Sequence, residues 1–471
     1  MRLNRITSNK CSNEFVFRVH GWGGIGAKAD SLLKYGVCFL DRGIRVPNGH
    51  VISSSPYFRR LERPEGIEAG KIVKLNDESK IMVEDILDSI DGALAHAIRS
   101  SFQGDHTGNG IYKSVIGPLS EGIESIETIM TNAFSEDGEE FRKKRGLPPD
   151  ISILIMPAIV DSEFGCPLLS GCGSTTWGPG IGRLAIAPGF GTRATGQSAS
   201  IGLFDFAGEL PEKLVLRLTN PQLHMPDHLV EHSLFSGRDD QFVNRLIQSR
   251  AYKKAVQKTL PTFLSRLKDI ESDIGPFYFE FALARPANEI AQFVLQVAPY
   301  NYEDSHIEFP PESTPNVLWT KEVAGRCKKT ATSIVSAAEY NVPKPKMRES
   351  MLEINRSTKD YILVVTDIHS AMAGPHKWLS YACFSNAVAI VEVNPEHHRA
   401  PSEHFRGLLS DSKIPFLHVD WFNMDDPAFK LQMLESFKAH ECEAEILADD
   451  CAPEGSKGAL VFKRLPNLGK Y

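Results

Sequence analysis

The sequence predicts an α/β protein built from two units, on two observations. First, short apolar runs rich in β-branched and aromatic residues, such as Ile151 to Val160, Phe277 to Ala284 and Tyr361 to Val365, alternate with stretches of helical periodicity. Second, residues 301–320 are rich in Pro, Glu, Asp and Ser (Glu308-Phe309-Pro310-Pro311-Glu312) and read as a linker. The expected boundaries are a first unit over 1–300, a linker over 301–357 and a second unit over 358–471.

Taken in order, Phe15-Val16-Phe17 is a strand that runs into the glycine-rich segment Gly21-Trp22-Gly23-Gly24-Ile25-Gly26-Ala27-Lys28. Ala29 to Tyr35 reads as a short helix. Arg45 to Ile52 reads as a turn entering a strand. Residues 82–99 look helical, with Val83, Ile86, Leu87, Ile90 and Leu94 on one face. Residues 122–144 look helical as well. The near-continuous apolar run Ile151 to Val160 suits a buried strand. Two further strands are expected within 165–196, and helices with polar faces over 226–272. Phe277 to Ala284 and Ile290 to Val297 read as paired strands that close the first unit. Lys321 to Tyr340 is expected to be a helix within the linker. Tyr361 to Val365, Ala387 to Val393 and Ile414 to Val419 read as strands of the second unit.

Composition narrows the classes. At 471 residues the chain can hold about three ordinary domains. The formal charge of −7 and the lack of a long basic run argue against nucleic acid as a partner. None of the eight cysteines forms a CxxC pair, and neither Cys166/Cys172 nor Cys442/Cys451 has the usual zinc spacing. Free thiols in a reducing compartment are the expectation. No apolar h-region follows the N-terminus, and no apolar run reaches roughly eighteen residues. A cytoplasmic protein without membrane contact is expected.

Several segments carry chemistry. A glycine-rich turn lets backbone N–H groups approach phosphate oxygens, and Lys28 beside it adds a point charge. Arg99, in Ile98-Arg99-Ser100-Ser101, offers a planar fork suited to phosphate. Glu280 is a carboxylate within an apolar strand, followed by Gln296 on the next. Arg193 follows the glycine-rich stretch Pro188 to Thr192. His404 lies between Ala389-Ile390-Val391-Glu392 and Ile414-Pro415. A neighbouring pair, His397 and His398, has no carboxylate or third ligand spaced to complete a metal site.

In order and spacing, these segments resemble the pyruvate phosphate dikinase and phosphoenolpyruvate synthase family over roughly residues 14–300 and 358–420. The resemblance implies an ATP-grasp nucleotide-binding unit followed by a small α/β phosphohistidine-like swivelling domain. It implies that ATP and Mg²⁺ bind, with Lys28, Arg99 and Arg193 on the phosphates and Glu280 and Gln296 placing the metal. His404 would be the phosphorylated nucleophile, passing its phosphate to a small molecule or a partner protein. The family's large barrel domain has no counterpart in these residues. Several positions depart from the pattern: Ala27 replaces a glycine, Tyr278 the metal-binding aspartate, Ala298 an arginine, Glu403 the serine before the histidine, Ser410 a later arginine, and residues such as His397, His398 and Arg399 a pair of glycines. Losing the arginine removes charge stabilisation from a transferring phosphate. A nucleotide-binding regulatory or scaffold protein is therefore the alternative expectation.

Overall fold

In the computed structural model the backbone divides between Asn301 and Tyr302 into two units, Met1–Asn301 and Tyr302–Tyr471. The structure describes residues 3–7, 15–21, 23–53, 73–90, 95–103, 114–148, 150–178, 181–189, 200–205, 210, 215, 218, 240–299, 307–320, 323–324, 327–336, 344–365, 379–393, 414–419, 441–449 and 457–464. The protein is mixed α/β, with three sheets among the described residues.

In unit 1 the chain runs β1 (Leu3–Thr7), β2 (Val16–His20), α1 (Ala27–Leu40), β3 (Gly49–Ile52), α2 (Asp77–Asp88), β4 (His96–Phe102) and β5 (Ser114–Gly117). It continues through α3 (Gly122–Ala133), α4 (Glu136–Arg145), β6 (Ile151–Pro157), β7 (Leu169–Gly178), β8 (Ile181–Pro188) and β9 (Ser200–Asp205). Last come α5 (Asp240–Gln248), α6 (Arg250–Lys254), a π-helical turn over Ala255–Thr259, α7 (Leu260–Ile274), β10 (Phe277–Ala284) and β11 (Ala291–Pro299).

Six strands form one sheet in the order β1-β2-β3-β6-β4-β5, and five form a second in the order β11-β10-β7-β8-β9. The second sheet is antiparallel throughout. One core joins the two, because α1 and α7 bury apolar faces between them. Phe39 of α1 meets Phe277 edge-on at 5.7 Å, and Phe263 of α7 stacks on Phe281 at 4.7 Å. Strand alternation explains β10: Phe277, Phe279, Phe281 and Leu283 enter this core, while Tyr278 joins Cys172, Ala185 and Ala298 in a separate small cluster. The turn after α1 adds backbone bonds to β11, from Arg45 N to Gln292 O at 2.8 Å and from Val294 N to Arg45 O at 2.9 Å.

Two sequence expectations change in unit 1. The helix expected over 82–99 stops at Asp88, and His96–Phe102 is a strand. Arg99 therefore sits in the middle of a sheet and not at a helix end. The helix expected over 122–144 is broken at Phe134-Ser135, where the Ser135 hydroxyl accepts from Gly138 N–H and caps α4.

Unit 2 comprises β12 (Val317–Thr320), β13 (Val323–Ala324), β14 (Cys327–Ser336), α8 (Lys344–Ser357), β15 (Tyr361–Val365), β16 (Ala387–Glu392), β17 (Phe416–His418), β18 (Glu441–Asp449) and β19 (Lys457–Arg464). Its eight strands are ordered β12-β19-β18-β14-β15-β16-β17-β13. The four strands β14 to β17 run parallel in sequence order. Antiparallel strands flank them on both sides.

Residues 301–357, read from sequence as a linker, contain β12, β13, β14 and α8 of this sheet. The helix expected over Lys321 to Tyr340 is instead strand Cys327–Ser336, paired with β15 on one side and β18 on the other. Asn355 holds α8 in place: its amide nitrogen donates to Ala382 O and Ser385 Oγ, and its oxygen accepts from Tyr361 OH at 2.9 Å. Among the described residues no helix is long and apolar enough to cross a membrane, and six cysteines stand as free thiols.

Candidate functional site

The glycine-rich segment leaves β2 and enters α1, a strand–loop–helix arrangement. Gly21, Gly23 and Gly26 all take positive φ. Gly26 has φ 76° and ψ 158°, a region open essentially to glycine alone. A Cβ there would lie 2.2 Å from the Ser101 carbonyl oxygen. The loop is thus packed directly on β4. Two bonds fix it: Lys28 N–H donates to Ser101 Oγ at 3.1 Å, and Ser152 Oγ donates to Gly24 O at 2.8 Å. Lys28 itself is buried.

Arg99 lies two residues before Ser101 and on the same face of β4, about 7 Å along the strand. Its guanidinium reaches across to the second sheet. Nη2 donates to Glu280 Oε2 and to Gln296 Oε1, both at 2.6 Å, and Nη1 donates to Leu295 O at 3.2 Å. Glu280 and Gln296 face each other as register partners on β10 and β11. Immediately beside them the pairing shifts: Phe281 pairs with Val294, and Leu295 is the extra residue of a bulge. The bulge turns the Leu295 carbonyl toward Arg99. Tyr278 completes the group, its hydroxyl 3.3 Å from Glu280 Oε1. Burial, followed by the neighbouring Cys172 and Glu280, pushes the Tyr278 phenol well above its usual range. It therefore remains protonated and donates.

Two donors in this cluster have no acceptor, Arg99 Nε and Gln296 Nε2. Both residues are more than nine-tenths buried, at 8% and 1% exposure. The Gln296 orientation is fixed by chemistry: its oxygen must face the guanidinium, which has only donors, so the NH₂ points away.

The sequence-expected residues therefore fall into three groups. Arg99, Glu280 and Gln296 are in direct contact. Lys28 is tied through its backbone to the same strand. Arg193 and His404 lie outside the described residues. Sequence reasoning missed Ser152 and the Leu295 carbonyl. Ser152 is the one polar residue in the run Ile151 to Ile155, and that interruption was the available signal. A bulge carbonyl leaves no such trace.

Mg²⁺ was expected on Glu280 and Gln296. The ion wants near-octahedral oxygen ligands, usually one or two carboxylates besides phosphate. Here the second carboxylate position is Tyr278, and both Glu280 oxygens and the Gln296 oxygen already accept hydrogen bonds. Among the described residues no cluster of three His, Cys, Asp or Glu side chains could hold a metal. This donor set does not fit Mg²⁺.

Two further arrangements involve histidine. In unit 1, His20 immediately precedes the glycine loop and stacks on His50, with Nε2 2.9 Å from His50 Nδ1. Burial, then the charge of Arg18, lowers the His20 pKa below 6.5. In unit 2, β16 and β17 are parallel neighbours, and residues 393–415, which include His404, connect them in the sequence. At their C-terminal ends Glu392 Oε2 lies 3.1 Å from His418 Nδ1.

No known protein-family model matches this chain, and no curated protein sequence matches it.

Two predictions follow from these contacts. Arg99→Met leaves the Glu280 carboxylate buried without its guanidinium and should cost about 3–5 kcal/mol of unit 1 stability in urea unfolding. The double variant Arg99→Met/Glu280→Met should recover most of that loss, and a double variant as unstable as the single one would contradict the pairing. For His20, the unfolded chain binds more protons than the folded one just below pH 6.5, so stability should fall as pH drops through that value. His20→Phe, which keeps a stacked ring, should flatten this slope in the same measurement.

Proposed function

We propose that unit 1 is an ATP-grasp-like nucleotide-binding unit. It takes ATP, or a related nucleotide, by its phosphates, and the chain acts as a nucleotide-binding regulatory or scaffold protein. One observation carries this reading. Segments from three distant parts of the sequence converge on β4: the glycine loop bonds Ser101, while Glu280 from β10 and Gln296 with the Leu295 carbonyl from β11 bond Arg99. The dikinase resemblance assigns these segments to the nucleotide phosphates and to the Mg²⁺ that accompanies them. The same cluster argues against fast phosphoryl transfer. Tyr278 and Ala298 stand where that chemistry would use a second metal carboxylate and a charge-stabilising arginine.

The second reading is a dikinase-like phosphotransferase. A ring nitrogen of His404 would attack a phosphorus of ATP, forming a P–N bond as a P–O bond breaks, and the phosphate would pass to a small molecule or a partner protein. Its support is that the segment bearing His404 leaves the C-terminal end of β16, the end at which open α/β sheets carry their sites, before the chain returns to the start of the parallel strand β17.

Calorimetry with ATP and intact-protein mass after incubation with Mg²⁺-ATP separate the two. The regulatory reading predicts bound nucleotide and no added mass. A phosphate or pyrophosphate adduct, absent in His404→Ala, would overturn it and establish the second reading.

A further inference from the structure

We infer that the Arg99 cluster receives the phosphate end of its nucleotide as a metal-free anion, with Arg99 Nε and Gln296 Nε2 as donors. This rests on the nucleotide-binding reading and specifies the form in which the ligand binds.

The argument starts from the two orphan donors. A buried N–H without an acceptor costs about 1–3 kcal/mol, so something with lone pairs belongs there. Both orphans are donors, and a cation would be repelled by both. An ordered water would satisfy them only if acceptors were also at hand for its own hydrogens. The nearby oxygens of Glu280, Gln296 and Leu295 each already accept from Arg99 or Tyr278, which leaves a water only their second lone pairs. A phosphate oxygen needs donors alone.

Charge points the same way. Within the cluster Arg99 and Glu280 cancel. The N-terminus of the 14-residue helix α1 adds roughly half a positive charge. It is joined to β4 by the Lys28 N–H bond to Ser101. The local balance is positive before any metal arrives. A divalent cation would add to it, with the one carboxylate of the cluster already paired. In an ATP-grasp-like site with two carboxylates, a cation is needed to relieve repulsion between protein and phosphate. Replacing one carboxylate with Tyr278 and pairing the other with Arg99 removes that need.

The test is calorimetric titration of the full chain with ADP, once in EDTA and once in excess MgCl₂. The inference predicts binding in EDTA within about threefold of that in Mg²⁺, or tighter. Gln296→Leu should weaken binding in EDTA about tenfold, and Gln296→Glu should weaken it at least as much, because it sets a second carboxylate beside Glu280. Circular dichroism of both variants checks folding, and either folded variant suffices. Binding that requires Mg²⁺ would overturn the inference and leave the nucleotide reading standing. No binding in either condition would overturn both. Metal-free binding unchanged in a folded Gln296 variant would overturn the assignment of the site.

Discussion

A guanidinium buried between two sheets is the constraint around which unit 1 is organised. Removing such a charge from water costs several kcal/mol, and the cost is offset only where the geometry supplies well-aligned acceptors. Arg99 has three: a carboxylate, an amide oxygen and a bulge carbonyl. Each comes from a different residue of the β10–β11 ladder. To deliver them the ladder must slip by one residue at Glu280/Phe281, and β4 must present Arg99 toward it. The glycine loop then packs on the same strand two residues further along, so the position of α1 follows from the position of β4.

The same geometry bears on function. A cluster that already satisfies its carboxylate is not waiting for a divalent cation, whereas its unsatisfied groups are donors. That asymmetry gives a physical meaning to the departures at Tyr278 and Ala298, which look in the sequence like simple losses. Tyr278 fills its position with a buried, protonated hydroxyl that donates to Glu280. Ala298 packs against it in a small cluster with Cys172 and Ala185. The aspartate and arginine of the resembled pattern are replaced by a packed apolar patch.

Much of the strand layout was legible because buried strands write themselves as apolar runs: Ile151–Pro157, Phe277–Ala284, Tyr361–Val365 and Ala387–Glu392. Of the candidate site, the residue types were legible, and so was the pairing of the strands that carry Glu280 and Gln296, but not the register that sets the two opposite each other. Their meeting with Arg99 was not, because it joins positions 181 and 197 residues apart. Two elements misled for opposite reasons. The helical pattern of α2 appeared to run on through Leu94 and absorbed the start of β4. β14, with Lys328, Lys329, Thr330 and Thr332, is too polar to announce a central strand. It is held there by ladders to β15 and β18, contacts that local sequence does not encode.

The claim on which the rest turns is that Arg99 Nε–H waits for an oxygen from a nucleotide. Selective ¹⁵Nε-arginine labelling reads this directly by NMR, with the Arg99 resonance assigned by its absence in Arg99→Lys. Adding ADP in EDTA should shift that resonance and slow its exchange with water. A resonance unmoved by saturating nucleotide, while other arginine signals respond, would contradict the account.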